Sequence, residues 1–280
     1  MRVIKLFGDK FSFMPIFISI LDRKGLRLFL CFLFGMISKI KYGIFIKISY
    51  DFQDKLWAHF TNGKLIYVDY KPNWNANYSV LQNLVNDLGF QYFSPPVEGG
   101  LIIDIGAANG TETIVYSNIV GERGKVYAIE AHPKTFKALK KLSSHYSNIN
   151  PVQCAITDFS GKVYITSEVN SYHNTVVNIK SGIEITTISI DEFIESNKID
   201  KINLMKINIE GSEEKIFNTI DKALSLTDCF AISCHDFLFN SGNVIRGKII
   251  KKLKDHNFQI FENKTGNIVK DSWIFAKINS

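Results

Sequence analysis

Leu101-Ile102-Ile103-Asp104-Ile105-Gly106-Ala107-Ala108-Asn109-Gly110-Thr111 is the stretch on which the reading of the chain turns. A short aliphatic run with the composition of a buried strand ends in an acid, passes through two glycines, and opens a helix near Thr111. Glycines at a strand-to-helix turn let the backbone approach a ligand closely, and the first turn of the following helix offers unpaired N–H groups. A dinucleotide loop reads G-x-G-x-x-G and turns its glycines toward a pyrophosphate. Here an acid precedes Gly-x-x-x-Gly, and a carboxylate at Asp104 repels phosphates, which argues against an NAD-linked dehydrogenase. The same carboxylate suits a cationic ligand such as the amino-acid portion of S-adenosylmethionine (SAM).

Outward from this stretch, β-rich apolar runs alternate with amphipathic ones. Strands are expected at 101–105, 126–129, 152–155, 162–166, 185–190, 204–207 and 230–234, with a closing pair at 258–261 and 273–276. Helices are expected from 111 and from 133, then over 191–195, 213–220 and 245–254. Alternation of this kind predicts a parallel sheet with crossover helices. The second strand ends in Glu130, placed where an acid accepts both hydroxyls of a ribose. Two acids at the carboxyl ends of adjacent strands therefore bracket one nucleoside. Cys234-His235-Asp236 follows another strand end, on the edge where Asn208 and Glu210 also emerge, and His235 is read as functional. The remaining histidines, His59, His132, His145, His173 and His256, are assigned surface or loop roles.

Four stretches, in order, resemble the motifs of the FkbM family of SAM-dependent methyltransferases: Asp104 to Gly110, Ile129 to Pro133, the lead-in Thr187 to Phe193, and Lys206-Ile-Asn-Ile-Glu-Gly-Ser-Glu213. The resemblance covers residues 101–234. It implies an α/β, Rossmann-like class I methyltransferase with a mostly parallel doubly wound sheet and an antiparallel C-terminal strand, which the residues before 99 precede as an N-terminal α/β extension. It also implies SAM held by Asp104, Gly106, Ala108, Asn109, Gly110, Glu130 and Ala155, and methylation of a hydroxyl on a sugar, glycan or secondary metabolite. Asn208 stands where the family has Asp, so a charge is lost. Catalysis is expected of His235, Asp236 and Glu210. Asn208, Glu210, His235 and Asp236 are the alternative ligands of a divalent cation such as Mg. A SAM-binding module without turnover is the rival that Asn208 raises.

The chain has 280 residues, 46% hydrophobic content and a net charge of +6. Its lysines are scattered and no nucleic-acid motif accompanies them, so the acceptor is expected to be a small molecule or glycan rather than nucleic acid. Cys31, Cys154, Cys229 and Cys234 show no metal or disulfide spacing, which fits a reducing, cytoplasmic setting. The apolar runs at 11–21 and 28–37 are parted by Asp22, Arg23, Lys24 and Arg27, and neither is long enough to span a membrane. They read as helices packed on the domain, with peripheral membrane contact through residues 11–37, as in a membrane-surface adaptor, as the alternative. Asn62-Gly63 between two aromatic runs predicts a hairpin. The expected division is an apolar segment at 1–49, a hairpin and helix at 50–98, and the methyltransferase domain at 99–280.

Overall fold

The computed structural model describes residues 26–73, 76–96, 98–165, 176–177, 182–238 and 244–279. Residues 11–24 and His173, singled out above, lie outside these. The chain divides into two compact units, residues 1–80 and 81–280.

In the first unit, helix α1 (Arg27–Tyr42) precedes an antiparallel sheet of β1 (Lys47–Asp51), β2 (Leu56–Thr61) and β3 (Lys64–Asp69) in the order β1-β2-β3. The expected hairpin is present, and Asn62 and Gly63 at its tip have φ of 51° and 77°. Positive φ at both central residues is what a tight hairpin turn with the strands' right-handed twist demands. Helix α1 ends on Gly43 in the left-handed region, whose N–H reaches Lys39 O. Leu30, Cys31 and Phe34 from the helix share one core with Ile46, Ile48 and Trp57. The boundary expected after residue 49 therefore falls inside β1, and residues 26–49 are part of a packed unit rather than an appendage. His59 is also a core residue, not a surface one: it is fully buried, its Nδ1 lies 3.4 Å from Tyr67 O and its Nε2 accepts from Asn73 N at 2.9 Å. Burial holds its pKa down near 3, so the ring is neutral.

Helix α2 (Tyr78–Gly89) leads to the main sheet, built from β4 (Leu101–Ile105), β5 (Lys125–Ile129), β6 (Ile149–Val152), β11 (Leu204–Ile207), β12 (Cys229–Ser233), β13 (Phe258–Glu262) and β14 (Trp273–Ile278). The order is β13-β14-β12-β11-β4-β5-β6. All pairings are parallel except those of β14, which runs antiparallel to β12 and β13. This is the Rossmann-like architecture with an antiparallel C-terminal strand that the motif order implies. Helices α3 (Thr113–Val120), α4 (Pro133–Ser143), α5 (Ile190–Ser196), α6 (Glu213–Ile216), α7 (Asp221–Leu226), α8 (Val244–Asp255) and α9 (Ile268–Asp271) complete the unit.

Strand alternation sorts the sheet's side chains between its faces. Ile103, Ile105, Met205, Ile207, Phe230, Ile232 and Ile274 form one core with Phe193 of α5 and Ile249 and Leu253 of α8. The intervening residues Asp104 and Lys206 take the other face.

Two expected elements divide. The run 152–155 splits between β6 and β7 (Ala155–Thr157), and β7 joins a separate sheet with β8 (Gly161–Ile165), β9 (Val176–Val177) and β10 (Ile183–Ser189), in the order β7-β10-β8-β9. Thr187 Oγ1 on β10 holds β7 there, 2.6 Å from Thr157 Oγ1 and donating to Ala155 O at 3.1 Å. The helix expected over 213–220 stops at Ile216, and α7 starts afresh because the Asp191 carboxylate accepts from the N–H groups of Lys222 and Ala223.

Trp57, 1% exposed, joins α1 to the small sheet. Trp57→Ala is expected to cost about 3–5 kcal/mol in urea unfolding followed by circular dichroism. An unchanged midpoint would show that α1 and the sheet share no core.

Candidate active site

Strands β4, β5 and β6 step outward in one direction from the middle of the sheet, and β11 and β12 step outward in the other. Ligands of open α/β sheets sit beyond the carboxyl ends of the strands at such a reversal, here between β4 and β11. Four loops meet at this edge, after β4, β5, β11 and β12.

The parallel register sets Lys206 directly beside Asp104 on one face, with Ala128 and Ala231 as the next neighbours in the row. Lys206 is 2% exposed and Asp104 is fully buried. Lys206 Nζ donates to Asp104 Oδ1 and to Gly106 O, each at 2.9 Å, and forms an ion pair with Glu112 Oε2 at 3.1 Å. Thr113 Oγ1 donates to Asp104 Oδ2 at 2.7 Å. Burial alone would lower the Lys206 pKa, but Asp104 and Glu112 outweigh it and the ammonium stays charged.

The loop after β4 is bent by Gly106, Ala108 and Gly110, with φ of 77°, 50° and 89°. A Cβ on Gly106 would stand 2.0 Å from Asn208 O, so this glycine is what lets the loops after β4 and β11 touch. The N–H groups of Gly106 and Ala107 bond to Ile129 O, and Asn208 N bonds to Ile105 O. Glu130, half-buried at the end of β5, accepts from Ala108 N at 3.0 Å and from His132 N at 2.8 Å. Burial pushes its pKa up to about 7, against the pull of those two N–H groups. His132, 4% exposed beside it, has both ring nitrogens without a hydrogen-bond partner among the described residues.

In the loop after β11, Glu210 and Gly211 both adopt positive φ, 55° and 98°. Such backbone in a non-glycine residue persists only where surrounding contacts enforce it. The fully buried Glu213 supplies them: its Oε1 accepts from Ile209 N at 3.3 Å, from Gly211 N at 3.2 Å, and from His235 Nδ1 at 2.5 Å. Its Oε2 is buried with no hydrogen-bond partner among the described residues. With Nδ1–H given to Glu213, the other nitrogen of His235 is the one able to take a proton, and it lies 3.5 Å from Glu210 Oε2. Burial draws the His235 pKa down, but Glu213 and then Glu210 more than reverse this, and the net shift is upward.

Residues 104–260 match the Methyltransferase FkbM domain. The chain belongs to the FkbM methyltransferase family. Among curated relatives, this FkbM chain is 26% identical over 140 residues to the hexuronic acid methyltransferase AglP of Haloferax volcanii, an alignment covering 49% of the chain and 57% of AglP. It is 29% identical over 161 residues to a fibrillarin-like rRNA/tRNA 2'-O-methyltransferase of Sulfolobus acidocaldarius, covering 56% of the chain and 67% of that protein. Among solved structures, fibrillarin of Aeropyrum pernix with S-adenosyl-L-methionine natively bound aligns with a TM-score of 0.45 at 16% identity, over 83% of this chain and 99% of that one.

The geometry rearranges the site residues read from the FkbM motifs. Asp104 has both oxygens engaged within the fold, so it braces the Gly106 loop. Asp236 turns away from His235: its carboxylate accepts from Ile245 N and Arg246 N and caps α8, at 2.8 and 3.1 Å. The partner of His235 is Glu213 instead. Of the four residues read as alternative cation ligands, Glu210 and His235 come together at 3.5 Å while the Asp236 carboxylate is committed to α8, and no metal-holding group of three His, Cys, Asp or Glu exists among the described residues. The cation-ligand alternative thus finds no support in the donor set. Ala155 lies on β7 and packs with Val163, Ile165 and Ile185, partly against Ala131 of the loop after β5.

Lys206, Glu112, Thr113 and Glu213 were not among the expected site residues. Lys206 had a legible signal, a lone cation within the apolar strand Leu204-Met205-Lys206-Ile207, which must find a buried counter-charge. Glu213 had none, because its pairing crosses from one strand's loop to another's.

Lys206→Ala leaves Asp104 buried and uncompensated, and is expected to destabilise the protein by about 3–5 kcal/mol in urea unfolding. Asp104→Asn combined with Lys206→Met should lose less than the two single effects added together. Strict additivity would show the pair to be uncoupled.

Proposed function

We propose that this protein transfers a methyl group from SAM to a hydroxyl oxygen of a sugar in a glycan or small molecule. The observation that carries the reading is that the buried His235–Glu213 pair and the half-buried carboxylate Glu130 both lie beyond carboxyl ends of strands of one sheet, after β12 and β5. SAM supplies, when bound, a methyl group activated by its sulfonium. Glu130 has acceptor capacity left after its two backbone bonds, which suits ribose hydroxyls. The unpartnered nitrogens of His132 add polar groups awaiting a ligand in the same loop. Gly106, Ala108, Asn109 and Gly110 shape the backbone around the cofactor, and Asp104 with Lys206 fixes that shape. These residues fit SAM. They do not fit a divalent cation, and no step is assigned to one.

His235 takes the acceptor's proton at Nε2, with Glu213 holding the tautomer and stabilising the imidazolium that forms. Glu210 adds a second negative charge beside that ring. Asn208 lacks the charge of the family's Asp but sits at the crossing of the two loops, so its loss leaves the base intact and the reading of a turnover-deficient SAM-binding module is less favoured. A glycan acceptor is favoured over RNA by charge. Residues 51–280 carry 24 Lys and Arg against 25 Asp and Glu, no footing for a phosphate backbone.

Calorimetry is expected to register SAM and its demethylated product but not NAD. Glu130→Ala should weaken SAM binding by roughly 1.5–3 kcal/mol. The ionised carboxylate is the better acceptor, so affinity should fall as pH drops through about 7, and Glu130→Gln should flatten that dependence. NAD binding without SAM binding would overturn the proposal.

With an acceptor in hand, His235→Ala should keep SAM affinity and lose about 10²- to 10⁴-fold in rate. Since the active ring is deprotonated and its pKa is raised, kcat should climb with pH through a value above 6.5, and Glu213→Gln should move that limb to lower pH. EDTA should leave the rate unchanged. Full turnover in His235→Ala would remove the residue from catalysis.

A further inference from the structure

Helix α1 is apolar on two sides. Its buried side holds Leu30, Cys31 and Phe34 against the small sheet, while Leu28, Phe29, Phe32 and Ile40 on the opposite side are 72%, 54%, 62% and 81% exposed. At 100° per residue, these four with Leu26 and Met36 fill an arc of roughly 160°. Lys39 is the one charged residue within it, and its Nζ donates back to Gly43 O. A soluble surface rarely carries so continuous a stripe of large apolar side chains without a partner.

The distribution of charge says which partner. Residues 1–50 carry nine Lys and Arg against two Asp and Glu, so all of the protein's net positive charge lies in this part of the sequence. Within α1 itself the last turn is basic, with Lys39 and Lys41, and the first turn holds no acid. A second copy docking on this face would bring together two helices that each carry Arg27, Lys39 and Lys41 and no acid, which is unfavourable. An anionic lipid surface satisfies both features, taking the apolar stripe below the headgroups and the lysines among the phosphates. The helix has 16 residues, and no helix among the described residues is long and apolar enough to cross a membrane. It therefore fits a position in the plane of the interface.

We propose that the outward face of α1 docks the protein onto an anionic lipid surface. The proposal is independent of the methyl-transfer reading, since no residue of that site takes part.

The test is co-sedimentation of the full chain with vesicles of phosphatidylcholine alone and of phosphatidylcholine with about 30% phosphatidylserine. Binding is expected on the anionic vesicles, much weaker on the neutral ones, and reduced at about 0.5 M salt. Phe29→Glu with Phe32→Glu, at positions that touch no core, should lower binding by about 100-fold while leaving the urea midpoint unchanged. If those changes lower the midpoint, Ile40→Glu, at the most exposed position of the stripe, is the second variant. Three results would overturn the proposal: no sedimentation with anionic vesicles, unaltered binding by a folded variant, or a dimer in light scattering that the variant dissolves without any vesicle binding.

Discussion

A buried ammonium and a buried carboxylate sit side by side at the centre of the main sheet, and the site is assembled around them. Removing either charge from water is costly, and the attraction between them offsets that cost only if every donor is used. Lys206 approaches this condition with hydrogen bonds to Asp104 and Gly106 O and an ion pair to Glu112, and Thr113 completes Asp104. One contact is to the loop after β4 and two are to the entrance of α3, so the pair ties the ligand-facing loop to the strand beneath it. The alanines at 128 and 231 matter to this arrangement because they leave room beside the pair on both flanking strands.

Two of the six non-glycine residues with positive φ among the described residues lie on the same edge. Ala108 and Glu210 adopt left-handed conformations that cost a non-glycine residue of order 1–3 kcal/mol. Each is flanked by a carboxylate that takes its loop's N–H groups: the half-buried Glu130 takes that of Ala108, and the buried Glu213 takes those of Ile209 and Gly211. Each acid thus fixes a loop through its backbone bonds, and Glu213 holds the ring of His235 as well. The design leaves little freedom for substitution, since any change that weakens either acid's backbone bonds also moves a loop.

The small N-terminal sheet follows a different logic. It has its own core around Trp57, its own helix, and a neutral buried histidine whose two nitrogens close hydrogen bonds to Tyr67 and Asn73. Where the main unit encloses its polar groups, this one leaves large apolar side chains of α1 in contact with water. That contrast matches the segregation of positive charge into residues 1–50.

Much of the fold was legible in the chain, because it depends on local patterning. The strand composition of 101–105 and 204–207, the Asn62-Gly63 turn, Pro133 at a helix start and the acids ending β4 and β5 each follow from neighbours within a few residues. Family membership was legible for the same reason, as a set of short motifs in order. What only the tertiary structure decided were the pairings between distant residues. That Asp104 meets Lys206, 102 positions away, follows from two strands being neighbours in register. That Asp236 caps α8 while Glu213 meets His235 depends on where two loops come to rest. That β7 leaves the main sheet for β10 depends on Thr187 reaching it across 32 positions. A side chain's nearest neighbour in sequence tells nothing of which charge it will face once water has been excluded, and that exclusion is a property of the folded chain alone.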